Sequence, residues 1–375
     1  MAKRKGKSRR RVKDWSRRHR QEDLTSLDAA ESETLQPDRV KLRGFRLERG
    51  PGESELADRP RVEGMVTGLF PGGARVRLGG EELFCSLAGT FRPPPGSTAL
   101  AVGDRATVAL TPPQHTSGDK ETDKHRADAV ILSRQPRQTA LSRPQPTSSK
   151  RRGRHDEELA EKVIAANMEI LLIVTSMRQP PIRPGLVDRF CIVAERGEMR
   201  PIVAINKIDL AEPDEGLIAE LAANEVAVFC CSALQRRGLE ELLAALRHRS
   251  SVLAGASGVG KSSIINALVP GANVPTKTIR MKDKRGRHAT AAAKLYELPG
   301  GGILVDTPGV RELAVEMDQT ELPWYFPEMA SLAGECKFNN CTHIHEPDCA
   351  VRRAAEAGRI PPRRYQGYLR IMETL

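Results

Sequence analysis

At 375 residues the chain is too long for a single hydrophobic core and implies two or three domains. Its composition, 39% hydrophobic and 29% charged, excludes a membrane-embedded or wholly unstructured chain, and no apolar run is long enough to span a bilayer. The formal charge of +11 is concentrated rather than spread, because residues 1–20 hold eleven Lys and Arg against Asp14 alone.

That basic block opens a charged segment, residues 1–50, with too few apolar positions to bury a core, so a disordered arm is expected. Its chemistry suits polyanions, nucleic acid ahead of an acidic membrane surface, with a merely solubilising tail as the alternative. The stretch lacks the apolar face of a targeting peptide, so a cytoplasmic protein with no membrane partner is expected. Residues 55–135 change character. "VEGMVTGLF", "GARVRLGG", "EELFCSLAG", "DRATVAL" and "ADAVILS" are five short apolar runs between Gly and Pro breaks. Five strands in so short a span predict an all-β barrel, with the OB-fold as the five-stranded candidate. Phe70, Phe84 and Phe91 read as core rather than as stacking platforms. A basic Pro/Ser-rich linker is expected over 136–160.

From 161 to 318 the pattern is α/β. "MEILLIVTS", "MRPIVAIN", "NEVAVFCCS" and "SSVLAG" are near-continuous apolar strands, separated by helical stretches such as "GLIAELAA" and "GLEELLAALRHR". Such alternation predicts a mostly parallel sheet covered on both faces. Within it, Gly255, Ala256, Ser257, Gly258, Val259, Gly260, Lys261 and Ser262, with Ser263 following, form a complete P-loop between a strand and a helix. Its backbone amides would converge on phosphate oxygens, Lys261 would reach the β and γ phosphates, and Ser262 would hold Mg²⁺. "ILVDTPG" places Asp306 at a strand end, where it can orient the magnesium shell, while the Gly309 amide can meet the γ-phosphate. "NKID" supplies Asn206, Lys207 and Asp209, and the Asp209 carboxylate can accept from guanine N1–H and the exocyclic amine, a donor pair that adenine lacks. Ser232 and Ala233, in "CSAL", could reach guanine O6 with their backbone.

Here the base-reading stretch precedes the P-loop, the reverse of the usual GTPase order. Each motif ends a predicted strand, and open α/β sheets bind ligands at strand carboxyl ends, so all four loops can meet on one nucleotide whatever their chain order. The inversion therefore reads as circular permutation.

The last segment, 319–375, carries Cys336, Cys341, His343 and Cys349, followed by an Arg-rich tail. Seven cysteines in a chain with no secretory signal argue against a disulfide framework. Three thiolates and one imidazole would make a closed, structural zinc site, with His345 as a rival ligand. Arg352, Arg353, Arg359, Arg363, Arg364 and Arg370, with Tyr365 and Tyr368 among them, suit phosphate contacts and base stacking; an amphipathic helix covering its own core would look similar.

The order N-K-I-D, S-A-L, G-A-S-G-V-G-K-S-S, G-R-H-A-T, D-T-P-G, with "PGVREL" and "CTHIHEPDCAV", resembles the ribosome small-subunit-dependent circularly permuted GTPases, the RsgA/YjeQ family. The resemblance runs from about residue 60 to the C-terminus. It implies an N-terminal OB-fold barrel, a central circularly permuted α/β P-loop GTPase and a C-terminal, mainly α zinc-binding domain. It also implies a protein that binds GTP and GDP with Mg²⁺, contacts 16S rRNA, and acts in late maturation of the 30S subunit, which stimulates its hydrolysis; nothing in the sequence suggests a dimer seam, so a monomer is expected. The family's C-x-H pattern favours His343 over His345. Two departures stand out. Its usual G-R-H-T-T-T is Gly286-Arg287-His288-Ala289-Thr290-Ala291 here, leaving Thr290 as the magnesium-ligating threonine. Val310 follows D-T-P-G where Ras-like enzymes place a water-orienting Gln, so slow intrinsic hydrolysis is expected. His288 is the candidate for positioning the water, with a contact to rRNA or phosphate as its alternative role. A GTP-gated RNA-binding module with incidental hydrolysis is the competing function.

Overall fold

The computed structural model describes residues 56–70, 72–94, 97–111, 128–144, 161–276, 293–307, 310, 315 and 317–375. The basic arm, and His288, Thr290 and Gly309, lie outside the described residues.

Five strands close into the expected barrel: β1 (Arg61–Phe70), β2 (Gly73–Leu78), β3 (Glu81–Leu87), β4 (Arg105–Leu110) and β5 (Ala129–Arg134), in the order β1-β2-β3-β5-β4. Closure depends on β1 serving two neighbours. Arg61–Met65 pair with β4, Met65–Phe70 pair with β2, and a bulge between Val66 and Gly68 bends the strand between the two tasks. Alternate residues Val66, Val76, Cys85, Val108 and Ile131 fill the interior, where burial pushes the Cys85 thiol up to about 12. Phe91 belongs to this core as the sequence predicts, but Phe70 is exposed, under the Arg75 guanidinium and beside Phe84.

The segment expected to be a linker contains a strand. β6 (Ala140–Pro144) pairs antiparallel with β7 (Glu161–Ala166), and Leu141 is fully buried. Only one large apolar residue marks β6, and its pairing partner lies beyond the Pro/Ser-rich run, so the composition of 136–160 hid it. This hairpin clasps the barrel loop 97–104. Ala166 N–H donates to Val102 O at 2.8 Å, Val163 N–H to the Thr98 hydroxyl at 2.8 Å, and the Asn167 amide to Gly103 O at 3.0 Å. Gly103 must be glycine there: its φ is +90° and a Cβ would stand 2.0 Å from Ala166 O. Across the same junction Arg137 grips the fully buried Asp104 with two bonds, Nε–Oδ1 at 2.7 Å and Nη2–Oδ2 at 2.9 Å.

The central sheet has six strands in the order β10-β9-β8-β11-β13-β12, parallel except for β12. These are β8 (Ile170–Ser176), β9 (Arg200–Asn206), β10 (Ala227–Cys230), β11 (Ser250–Ala254), β12 (Lys294–Glu297) and β13 (Ile303–Asp306). β8 is buried at every position, which is why its sequence is an unbroken apolar run. Helices α1 (Pro184–Arg196), α2 (Glu215–Ala223), α3 (Leu239–Leu246) and α4 (Lys261–Leu268) connect the strands.

The C-terminal part is helical: a 3₁₀ turn at Leu322–Tyr325, then α5 (Pro327–Ala333), α6 (Ala350–Glu356) and α7 (Pro362–Met372). It packs on α1, and Leu322, Phe326, Met329, Tyr368 and Ile371 share one apolar core with Phe190 and Val193. Removing one partner of a buried ion pair strands the other charge. Arg137→Ala should therefore lower unfolding stability by about 3–5 kcal/mol, measured by urea denaturation, whereas loss of a surface ion pair would cost under about 1 kcal/mol.

Candidate functional site: a phosphate loop ringed by base-reading loops, and a separate metal-type cluster

Strand β11 delivers the P-loop, residues 255–262, to the carboxyl edge of the sheet, between β8 and β13. The loop is fitted to its neighbours too closely for side chains. A Cβ on Gly255, whose φ is +134°, would stand 2.1 Å from Val174 O; one on Gly260, φ +100°, would stand 2.2 Å from Asn206 Nδ2.

Asn206, at the end of β9, is buried and works in two directions. Its Nδ2 donates to Val259 O at 3.0 Å, and its Oδ1 accepts from Ala233 N–H at 3.0 Å. The first bond fastens the base-reading loop to the phosphate loop; the second fastens it to the S-A-L turn. Lys207 donates to Gly258 O at 2.7 Å and also to Gln179 O. The Ser232 hydroxyl donates to the Asp209 carboxylate and accepts from Gln235 N–H at 3.1 Å. Lys261 donates to the loop carbonyls of Gly255 and Ala256. Ser262 and Ser263 sit on the first turn of α4, and Asp306 ends β13 opposite Leu253 of β11. Past Asp306, Val310 is buried and its carbonyl accepts from Gly255 N–H at 3.2 Å, so the chain returns to the P-loop. The residues expected from sequence that the structure describes thus meet at one edge of the sheet. The Asp209 carboxylate, bonded to Ser232, and the P-loop at the start of α4 therefore share this edge.

The second cluster lies in the C-terminal part. One donor atom from each of Cys336, Cys341, His343 and Cys349 falls within 4.8 Å of the others. His343 Nδ1 is 3.6 Å from Cys336 Sγ and 3.4 Å from Cys349 Sγ, and these two sulfurs are 3.9 Å apart. A tetrahedral ion about 2.3 Å from each sulfur would hold two sulfurs about 3.8 Å apart, so the donor set fits one. The structure selects His343, which is buried with φ +59°, over His345, which is exposed. Burial, with the neighbouring sulfurs, pushes the Cys341 thiol up to about 12, and burial lowers the His343 imidazole. Thiols in that state need a cation's charge before they ionise.

The supporting bonds around the cluster were not foreseen from sequence. Partial burial opposes the charged Glu346 carboxylate, but the Thr342 hydroxyl and the amides of Thr342 and His345 bring it down to about 2. It accepts from Thr342 N–H at 2.8 Å, Thr342 Oγ1 at 2.5 Å and Ile344 N–H at 3.1 Å. Tyr365 and Tyr368 donate their hydroxyls to His343 O at 2.7 Å and Thr342 O at 2.6 Å. Both tyrosines and Arg364 therefore face inward, while Arg353, Arg359, Arg363 and Arg370 stay exposed. Of the two readings of α7, the helix covering its own core is the one the structure adopts.

Comparison with known proteins agrees with this geometry. A family model described as RsgA GTPase matches residues 134–316. The small ribosomal subunit biogenesis GTPase RsgA of Gemmatimonas aurantiaca is 37% identical over 300 residues, 79% of this chain and 91% of that protein. The protein of the same name from Chlorobaculum tepidum is 36% identical over 321 residues, covering 84% and 98%. The chain belongs to the RsgA GTPase family. The crystal structure of YjeQ from Thermotoga maritima matches with a TM-score of 0.60 at 28% identity, over 84% of this chain and 98% of that one. YloQ, described as a circularly permuted GTPase, matches in fold with a TM-score of 0.58 at 24% identity, over 84% and 94%. The fold described there as permuted is the one this chain adopts, and the family match spans β6 through β13 here.

In this RsgA family member the Glu346 carboxylate holds the Cys341–His343 turn from behind. Glu346→Ala should weaken divalent-metal affinity by about 10–100-fold, read by chelator competition; unchanged affinity would show that the turn keeps its shape unaided.

Proposed function

We propose that this protein is a GTP hydrolase stimulated by the small ribosomal subunit, acting in late 30S maturation by binding 16S rRNA and departing on hydrolysis. The observation that carries the reading is Asn206, whose single side chain bonds both the P-loop and the S-A-L turn. In this reading Asp209, held by Ser232 of the same S-A-L turn, meets the guanine while the P-loop meets the phosphates. The relatives' shared name, small ribosomal subunit biogenesis GTPase RsgA, supplies the biological setting.

In this reading Asn206, Lys207, Asp209, Ser232 and Ala233 hold the base, while residues 255–263 and the Gly309 amide hold the phosphates. Lys261 neutralises the β and γ oxygens once its carbonyl partners give way to them. Ser262, Thr290 and Asp306 would hold Mg²⁺, which when bound offsets the charge building on the transferring phosphoryl group. The Val310 side chain cannot orient a water, so His288 takes that role. Cys336, Cys341, His343 and Cys349 hold one structural Zn²⁺, since all four positions are filled by protein. The protein works as a cytoplasmic monomer without a membrane partner, divided into a basic arm (1–50), barrel (55–135), GTPase domain (161–318) and zinc-binding domain (319–375), and the arm adds non-specific affinity for RNA phosphates.

GTP turnover measured alone and with 30S subunits, 50S subunits or free 16S rRNA tests the reading. Strong stimulation by 30S alone is expected, and His288→Ala should remove most of it. Equal, feeble turnover in every mixture, with GTP-dependent 30S binding intact, would instead favour the gated RNA-binding module, a reading that the apolar Val310 keeps in play. Base recognition has its own test. Asp209→Asn replaces an acceptor by a donor and should lower GTP affinity by at least about ten-fold, the equivalent of about 1.4 kcal/mol, while admitting xanthosine triphosphate. Unchanged preference for GTP would remove Asp209 from the base pocket.

A further inference from the structure

The Arg-rich tail holds one arginine unlike its neighbours. Arg364, on α7, is buried, and its guanidinium makes four hydrogen bonds to partners from three other helices or their ends. It pairs with Asp188 of α1, grips Glu328 of α5 through Nε at 2.5 Å and Nη2 at 3.3 Å, and donates to Asn224 Oδ1, just past α2, at 3.4 Å. Its plane lies over the Phe326 ring, 4.6 Å from the centroid. Around it α7 and α1 pack so closely that a Cβ on Gly367 would stand 2.9 Å from Asp188 Oδ2. An arginine fork with this many bonds sets the position of α1 more tightly than apolar packing alone.

The N-terminus of α1, one turn before Asp188, leads back to the nucleotide site. The segment entering the helix is pinned at Pro180, whose carbonyl accepts from the buried Ser176 hydroxyl at 2.8 Å. One residue earlier, Gln179 O accepts from Lys207, the same lysine that holds Gly258 of the P-loop. Between α1 and the back of the P-loop there is instead a cavity of about 170 Å³, with Leu186, Val187 and Phe190 on one wall and Ala256, Ser257 and Val259 on the other. The spacing of α1 from the P-loop is thus set indirectly, by the packing of Val187, Phe190 and Val193 on β8 and β9 together with the Arg364 cluster and the Gln179–Lys207 contact.

We infer that Arg364 is a positioning residue for the nucleotide site, joining the C-terminal domain to the P-loop through the first turns of α1 and the segment that enters it: Arg364 to Asp188, then Gln179 to Lys207 to Gly258. The inference rests on the GTPase reading above. It gives the C-terminal domain a route to the nucleotide that is separate from the chain connection after Asp306. By reciprocity, nucleotide binding must disturb the Arg364 cluster as much as the cluster affects nucleotide affinity.

The full-length protein carries its own reporter. It has two tryptophans, Trp15 and Trp324, and Trp324 is 66% exposed and two residues before Phe326. In a Trp15→Phe background, Trp324 emission is followed as GDP is added, and GDP affinity is measured separately with a fluorescent GDP analogue. Arg364→Lys keeps the charge but loses the fork and the stacking; Asp188→Asn keeps an oxygen toward Arg364 at the same volume. Circular dichroism and retained metal establish that each is folded. Both variants are expected to bind GDP about five-fold or more weakly and to lose at least half of the Trp324 response. If either folded variant keeps parental GDP affinity and parental response, Arg364 has no positioning role and the inference falls, with the GTPase reading untouched. A parent protein that binds no GDP overturns the GTPase reading, and this inference with it.

Discussion

Strand β11 is held by parallel ladders on both sides, against β8 through Val252 and Leu171 and against β13 through Val252 and Val305. That placement sends the P-loop out beside the ends of strands that precede it in the chain, and the site depends on it. Gly255 can approach the Val174 carbonyl only because β11 and β8 are adjacent, and Asn206 reaches Val259 only because β9 lies next beyond β8. Chain order is immaterial to such a site. What matters is which strand ends are neighbours, and hydrogen-bonded ladders decide that.

Two buried ion pairs then join the other parts to this sheet. Asp104 and Arg137 hold the barrel loop against the β6–β7 hairpin, while Asp188 and Arg364 hold the C-terminal helices against α1. Neither pair is an efficient source of stability, because desolvating two charges offsets much of their attraction. Each is instead demanding about geometry. Arg137 also reaches Ser97 Oγ at 3.1 Å and Thr98 O at 3.0 Å, and Arg364 reaches Glu328 and Asn224, so each docking is accepted in one orientation. At Asp188 the balance is visible: burial, opposed by Arg364, pushes its carboxyl up to about 6.

Around the Cys₃His cluster the same economy of local bonds applies. Glu346 folds back on the turn that presents Cys341 and His343, and two tyrosine hydroxyls from α7 close over its carbonyls. Helix α7 is thus the wall of the metal-type cluster on one side and the anchor to the GTPase core on the other.

What could be read from the sequence alone was whatever rests on short-range backbone demands. The P-loop needs glycines at fixed intervals, N-K-I-D and D-T-P-G need a strand end at fixed register, and three cysteines with a histidine must lie within one short stretch to share an ion; in each the constraint is local. The five barrel strands and the buried β8 were legible for the same reason, since alternation and unbroken apolar runs record burial along a strand. Three things were not legible. β6 hid behind a Pro/Ser-rich composition because its partner is β7, on the far side of that run. The bonds that hold the Cys341–His343 turn, from Glu346, Tyr365 and Tyr368, left no mark in the spacing of the cluster. Arg364 looked like any other arginine in a basic tail, because its burial depends on Asp188, 176 residues away, and on Glu328, 36 residues away. Sequence determined the chemistry available at each loop and its local shape. Tertiary structure alone decided which charges are buried and which helices meet, because a buried charge is tolerated only where a distant partner arrives to neutralise it.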